Sequence, residues 1–160
     1  MVWQQRSGRW ALQQTLGSDS LGGLGTGEFE APGDSTDLVT RTYRVPRYFA
    51  ECATCPHAYG MHRFRWRASG FERIEDRVVP STYSTFVAFI QSLLAGDRDA
   101  GTALVTQPSL VDAAIHAEWN QAKGTWRIAP VTDETPRRLV FFRGEKDAYR
   151  VEFEQRGRRG

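Results

Sequence analysis

The pattern of apolar and polar positions changes period once along the chain. Before about residue 80 it reads as strands and loops; after it, a helical section gives way to strands again. Trp3-Gln-Gln and Arg9-Trp-Ala-Leu-Gln-Gln flank Arg6-Ser-Gly8 and predict a hairpin. Asp37 to Val45 alternates, with Leu38, Thr40, Thr42 and Arg44 on one side and Val39, Arg41, Tyr43 and Val45 on the other, and Pro46 ends the run. A loop is expected through His62. Arg63-Phe-Arg-Trp-Arg67 and Phe71 to Val79 then predict a hairpin around Ala68-Ser-Gly70. A three-residue loop places Phe64 opposite Ile74 and Arg63 opposite Glu75.

After Pro80, the residues Phe86, Phe89, Ile90, Leu93 and Leu94 recur at the three-and-four spacing of one helix face, which predicts a principal helix over about 84–95. Ser81, Thr82 or Ser84 can cap its start, and Gly96 suits its stop. A short turn or helix is expected over 100–105, and another whose cap is Ser109 and whose body is Leu110 to Ala117. Trp126 to Ala129, Arg137 to Arg143 and Ala148 to Glu154 return to strands, the last two forming a hairpin around Gly144-Glu-Lys-Asp147. Tyr149, Val151 and Phe153 alternate with Arg150, Glu152 and Glu154, so that strand buries one face.

The expectation is an α+β fold: a mainly antiparallel, curved sheet, one principal amphipathic helix and one or two short ones. At 160 residues the chain is read as a single domain. A strand-rich N-terminal half (1–80) packs on a helix-plus-sheet half (81–155), and 156–160 form a basic tail. A chain of this size buries roughly two thirds of its extended surface, so its core needs no metal or disulfide.

Charge and composition narrow the function classes. The 21 basic and 19 acidic residues nearly cancel to a net charge of +2, which argues against a strongly basic nucleic-acid binder. The bases are almost all arginine; only Lys123 and Lys146 are lysine. Arg63, Arg65 and Arg67 alternate with Phe64 and Trp66, which separates cations from aromatics, whereas a stacking platform for nucleic acid needs both on one surface. No apolar run reaches membrane-spanning length. No signal peptide is expected from the start of the chain. Two cysteines leave the compartment open, with an extracytoplasmic location favoured over the cytoplasm. Leu21-Gly-Gly-Leu-Gly-Thr-Gly27 lacks the Lys-Ser/Thr ending of a phosphate loop and is read as a flexible crossing.

Chemically able side chains concentrate in Cys52-Ala-Thr-Cys55-Pro-His57-Ala-Tyr-Gly-Met-His62. A Cys52–Cys55 disulfide or two inert thiols is the preferred reading. A metal site of Cys52, Cys55, His62 and His57 competes with it, because two thiolates at this spacing can bend toward one zinc ion. His57 follows Cys55 too closely to be a comfortable ligand, and His62 reaches more easily. Redox chemistry of the Cys-x-x-Cys kind wants a helix N-terminus, which is not evident here, and c-type haem wants His where Pro56 stands. No cofactor is expected beyond that possible zinc. Asp112 and His116, four apart on one helix face, are the candidates for a pocket acid or base, and equally for an exposed pair.

The order from residue 80 onward resembles the cystatin-like cone fold of nuclear transport factor and ketosteroid isomerase relatives. The likeness is carried by Tyr83-Ser-Thr-Phe-Val-Ala-Phe-Ile-Gln-Ser-Leu-Leu-Ala-Gly-Asp97, then Ala103-Leu-Val-Thr-Gln-Pro-Ser-Leu110, then the antiparallel strands. It covers about half the chain, and it implies a long helix and curved sheet around a pocket, in a group that includes enzymes, binding modules and assembly domains. The strand-rich first half departs from that pattern. The function expected first is a non-enzymatic binding or assembly module using an aromatic-rich sheet surface (Trp3, Trp10, Phe29, Tyr43, Phe64, Trp66). Its occupant is a protein partner or a second copy rather than nucleic acid. The alternatives are a small enzyme or carrier with a pocket between the principal helix and the C-terminal sheet, and metal binding through residues 52–62.

Overall fold

A computed structural model describes residues 1–131 and 136–155; the expected basic tail at 156–160 lies outside the described residues. In chain order the elements are β1 (Val2–Arg6), β2 (Arg9–Gln14), α1 (Ser18–Leu21), β3 (Gly25–Glu30), β4 (Asp37–Arg44), β5 (Phe49–Ala50), β6 (Ala58–Arg67), β7 (Gly70–Val78), α2 (Thr82–Leu94), α3 (Arg98–Ala103), α4 (Ser109–His116), β8 (Trp126–Ile128), β9 (Arg138–Arg143) and β10 (Asp147–Glu152). The fold is α+β, with open sheets that are antiparallel apart from one short pairing. The chain divides into two compact units, Met1–Arg44 with Tyr59–Val79, and Val45–Ala58 with Pro80–Gly160. Residues 45–58, read from sequence with the strand-rich half, belong with the helical one.

In the first unit β1 and β2 form the expected hairpin. Ser7 and Gly8 both take positive φ, which matches the twist of a two-residue turn. The remaining strands form a sheet in the order β3-β4-β6-β7. The stretch expected as a flexible crossing is instead α1, a glycine turn, and then β3 paired antiparallel to β4 from Gly25↔Thr42 to Glu30↔Asp37. β6 begins at Ala58, so the expected loop is shorter than the spacing suggested. The β6–β7 hairpin corrects one pairing and keeps another. Arg67 pairs with Gly70 and Phe64 with Arg73, not Ile74, because the turn is tighter than three residues. A bulge between Arg63 and Phe64 then restores the expected Arg63↔Glu75 pair. Leu38, Phe64 and Phe71 form the core of this unit, with Val2, Leu16, Leu21 and Trp66 packed against them.

In the second unit the sheet order is β10-β9-β8-β5. β9 runs antiparallel to both β8 and β10, while the two-residue β5 pairs parallel to β8. α2 starts at a reciprocal cap: the Ser84 N–H donates to Ser81 Oγ at 2.9 Å and the Ser81 N–H donates to Ser84 Oγ at 2.8 Å. Gly96, with φ of 73°, follows its end as expected. α4 lacks its expected serine cap. Ser109 is already the first helical residue, one position too late for its hydroxyl to accept from the first-turn amides, and Pro108 precedes it. The core gathers Tyr83, Phe86, Phe89, Ile90 and Leu93 from α2 with Trp126, Ile128, Leu139 and Phe141 from the sheet. Phe86 stacks on Phe141 with ring centroids 3.7 Å apart.

Candidate functional site

The Cys52–His62 segment is divided between separate structural jobs. Cys52 and Cys55 are joined by a disulfide. Cys52 is exposed and Cys55 is buried. The Cys55 N–H donates to the Cys52 carbonyl at 3.0 Å, so the bridge closes a backbone turn. The Cys55 sulfur also lies 3.2 Å from the Ile128 carbonyl oxygen, a packing contact because a disulfide sulfur has no proton to donate.

His57 Nδ1 lies 2.7 Å from Glu51 Oε2, which ties together the two ends of the disulfide loop. The Glu51 side chain is only 9% exposed, and its Oε1 is buried without a hydrogen bond. The Tyr83 hydroxyl is likewise buried without a partner at hydrogen-bonding geometry. Burial first, and the nearby Glu51 carboxylate second, push Tyr83 well above the usual phenol range. Glu51 escapes a reading of the sequence because nothing local marks it as buried; its surroundings include Tyr83, 32 positions later in the chain. An open concavity of about 590 Å³ adjoins the disulfide, lined by Glu51, Cys52, Arg127, Ile128, Pro130 and Phe142 among others.

His62 sits in β6 of the first unit, 2% exposed. Its Nε2 is 3.1 Å from Thr42 Oγ1 and its Nδ1 is 3.4 Å from Asp76 Oδ1. The Thr42 hydroxyl also donates to the Gly22 carbonyl at 3.0 Å; with its one proton used there, Nε2 is the ring donor. Burial holds the His62 pKa below the ordinary imidazole value, against the attraction of Asp76. The structure does not bring the four candidate ligands, Cys52, Cys55, His57 and His62, together around one point. The thiols are bonded to each other, and the histidines are bound to Glu51 and Thr42. Among the described residues no three His, Cys, Asp or Glu side chains are grouped to hold an ion.

Asp112 and His116 both lie on the exposed side of α4, and Asp112 is ion-paired with Arg98. Phe86, Phe89, Trp126 and Phe141 all lie in the buried core of the second unit. The arginine strand is likewise committed to internal partners. Asp37, fully buried, receives Arg65 Nε at 2.8 Å on Oδ1, and Arg65 Nη2 at 2.9 Å and Arg63 Nη1 at 3.1 Å on Oδ2. Arg63 also donates to Glu30 Oε2 at 2.6 Å. On the opposite face Phe64 is 3% exposed and Trp66 is half-buried.

The aromatic surface remains. Of the six aromatics singled out from sequence, Trp3, Trp10, Phe29 and Tyr43 are exposed. The β1–β2 register pairs Trp3 with Leu12 and Gln5 with Trp10. Paired residues and residues two apart share a face, so Trp3, Gln5, Trp10 and Leu12 lie together. All four are exposed, and none carries a charge. Leu12 was not singled out; only the register puts it beside the tryptophans. The hairpin is anchored at its other end, where Gln14 donates to the Phe71 carbonyl at 3.0 Å and accepts from the Phe71 N–H at 2.7 Å. The chain matches no protein-family model, no curated protein and no solved structure.

Proposed function

We propose that the protein is a non-enzymatic assembly module whose β1–β2 hairpin docks on a second copy of the chain. The exposed Trp3–Trp10–Leu12 face carries this reading. An isolated two-stranded hairpin is marginal in water and gains from cover on its apolar face. Tryptophan is the side chain that contributes most per residue to interface cores, at low conformational cost. The face bears no charge, so two copies meet there without like-charge repulsion, which suits a self-complementary two-fold contact. Gln5 supplies an amide that can donate and accept across such a contact. An acidic or basic partner would find no complementary charge on this face.

Sedimentation velocity from micromolar to hundreds of micromolar tests the reading. A dimer is expected that weakens by about tenfold or more in Trp10→Ser, a loss on the scale of a central interface tryptophan. A wild-type chain that stays monomeric over that range overturns it. Far-UV circular dichroism of Trp10→Ser shows separately that the variant is folded.

A further inference from the structure

We propose that Cys52–Cys55 is a thiol–disulfide exchange site that opens and closes in the folded chain, with a thiol compound as its reductant. The two sulfurs differ in access: Cys52 is exposed and Cys55 is 7% exposed, so an incoming thiolate reaches Cys52. The bridge is a weak staple, because on the chain-entropy model a disulfide stabilises less the shorter the loop it closes, and this one joins residues three apart. The loop also has two other closures. The Cys55 N–H to Cys52 carbonyl bond holds the turn, and the Glu51–His57 contact at 2.7 Å holds its ends. Both survive when the sulfurs part, so the oxidised and reduced chains share one backbone shape. The freed Cys55 thiol has an acceptor waiting, the Ile128 carbonyl at 3.2 Å. The concavity beside Cys52 leaves room for the attacking group.

The exchange balances as follows. A thiolate R–S⁻ attacks Cys52 Sγ; the Cys52–Cys55 bond breaks and its electron pair leaves on Cys55, which takes up the proton lost when R–SH ionised. A second thiolate attacks the R sulfur of the mixed disulfide, and Cys52 leaves and is protonated. Two thiols become one disulfide, and Cys52 and Cys55 are reduced. Cys52 follows β5 and lies on no helix N-terminus, so nothing of that kind stabilises its thiolate. Its role is therefore the sulfur attacked in the oxidised chain.

The test treats the folded, oxidised protein with reduced glutathione in one arm and a reduced dicysteine peptide in the other, read by acid quench and mass spectrometry. Exchange in either arm without loss of the near-UV circular dichroism spectrum supports the proposal, and the faster arm names the source of the thiol. In single-cysteine variants, Cys55→Ser is expected to form a mixed disulfide with oxidised glutathione about tenfold or more faster than Cys52→Ser. A bridge reduced only in denaturant, a native spectrum lost on reduction, or equal rates in the two variants each overturn it.

Discussion

Gly22 lies against the ring of His62: a Cβ at Gly22 would come within 2.2 Å of His62 Nε2. The ring cannot retreat easily. Its Nε2 is bonded to Thr42, and a Cβ at Gly60 would also meet it, at 2.9 Å. Gly22 holds φ of 92° and offers its carbonyl to the same Thr42 hydroxyl. The glycine-rich stretch is therefore a closure over a buried histidine, and its glycines serve close approach and left-handed backbone.

Gly22→Ala is expected to destabilise the first unit strongly. The positive φ and the overlap with the ring act together, and overpacking alone costs about 1–3 kcal/mol. Urea denaturation should show a lower midpoint, with the larger loss at Gly22→Ala than at Gly33→Ala. Gly33 also has positive φ, but a Cβ there meets nothing within 4 Å. Equal losses at the two positions would remove the packing argument and leave only backbone strain.

His62 predicts a pH dependence of stability near neutrality. Its pKa is lowered in the folded chain, chiefly by burial, with Arg73 and Arg44 adding to the effect and Asp76 opposing it. The unfolded chain therefore binds more protons than the folded one in the window below the ordinary imidazole value of 6.5. Stability from this group is present above that value and is lost as pH falls from it toward the folded pKa. Denaturation midpoints measured from pH 7.5 to 5 should fall in the wild type. In His62→Gln, which keeps a donor toward Thr42, the slope assigned to this group should vanish.

What could be read in advance was local. α2 announced itself because its cap, its apolar spacing and its glycine stop are neighbours in the chain, and all three agree. The strand over Asp37–Arg44 was legible as alternation. The burial of Asp37 was not, because it depends on Arg63 and Arg65 arriving from another strand. The Phe64 pairing was missed by one position because a tight turn and a compensating bulge leave no compositional mark; Ile74 is the residue the bulge leaves over. The cysteine cluster was legible as a disulfide, yet its partition is tertiary. Glu51, His57 and Cys55 belong to one unit and His62 to the other. The helical order after Pro80 was legible too, while the core packed on α2 depends on where Trp126 and Phe141 land.

Asp37 predicts the acid limb of the stability curve. The hydrogen bonds from Arg65 and then Arg63 outweigh the opposing effect of burial and hold its carboxyl at about 2, below the ordinary 3.8. The folded chain thus keeps the carboxylate ionised where the unfolded chain protonates it. Stability from Asp37 is present above 3.8 and is lost as pH falls from there to about 2. Asp37→Asn keeps the shape but leaves Arg63 and Arg65 on one face without the anion between them. It should lower the urea midpoint at pH 7 and flatten the decline between pH 4 and pH 2. Glu30→Gln should do less, since Glu30 is 41% exposed and touches only Arg63 of the pair. An unchanged acid limb in Asp37→Asn would mean that other carboxylates carry the acid sensitivity and that the arginine pair tolerates losing its counter-ion.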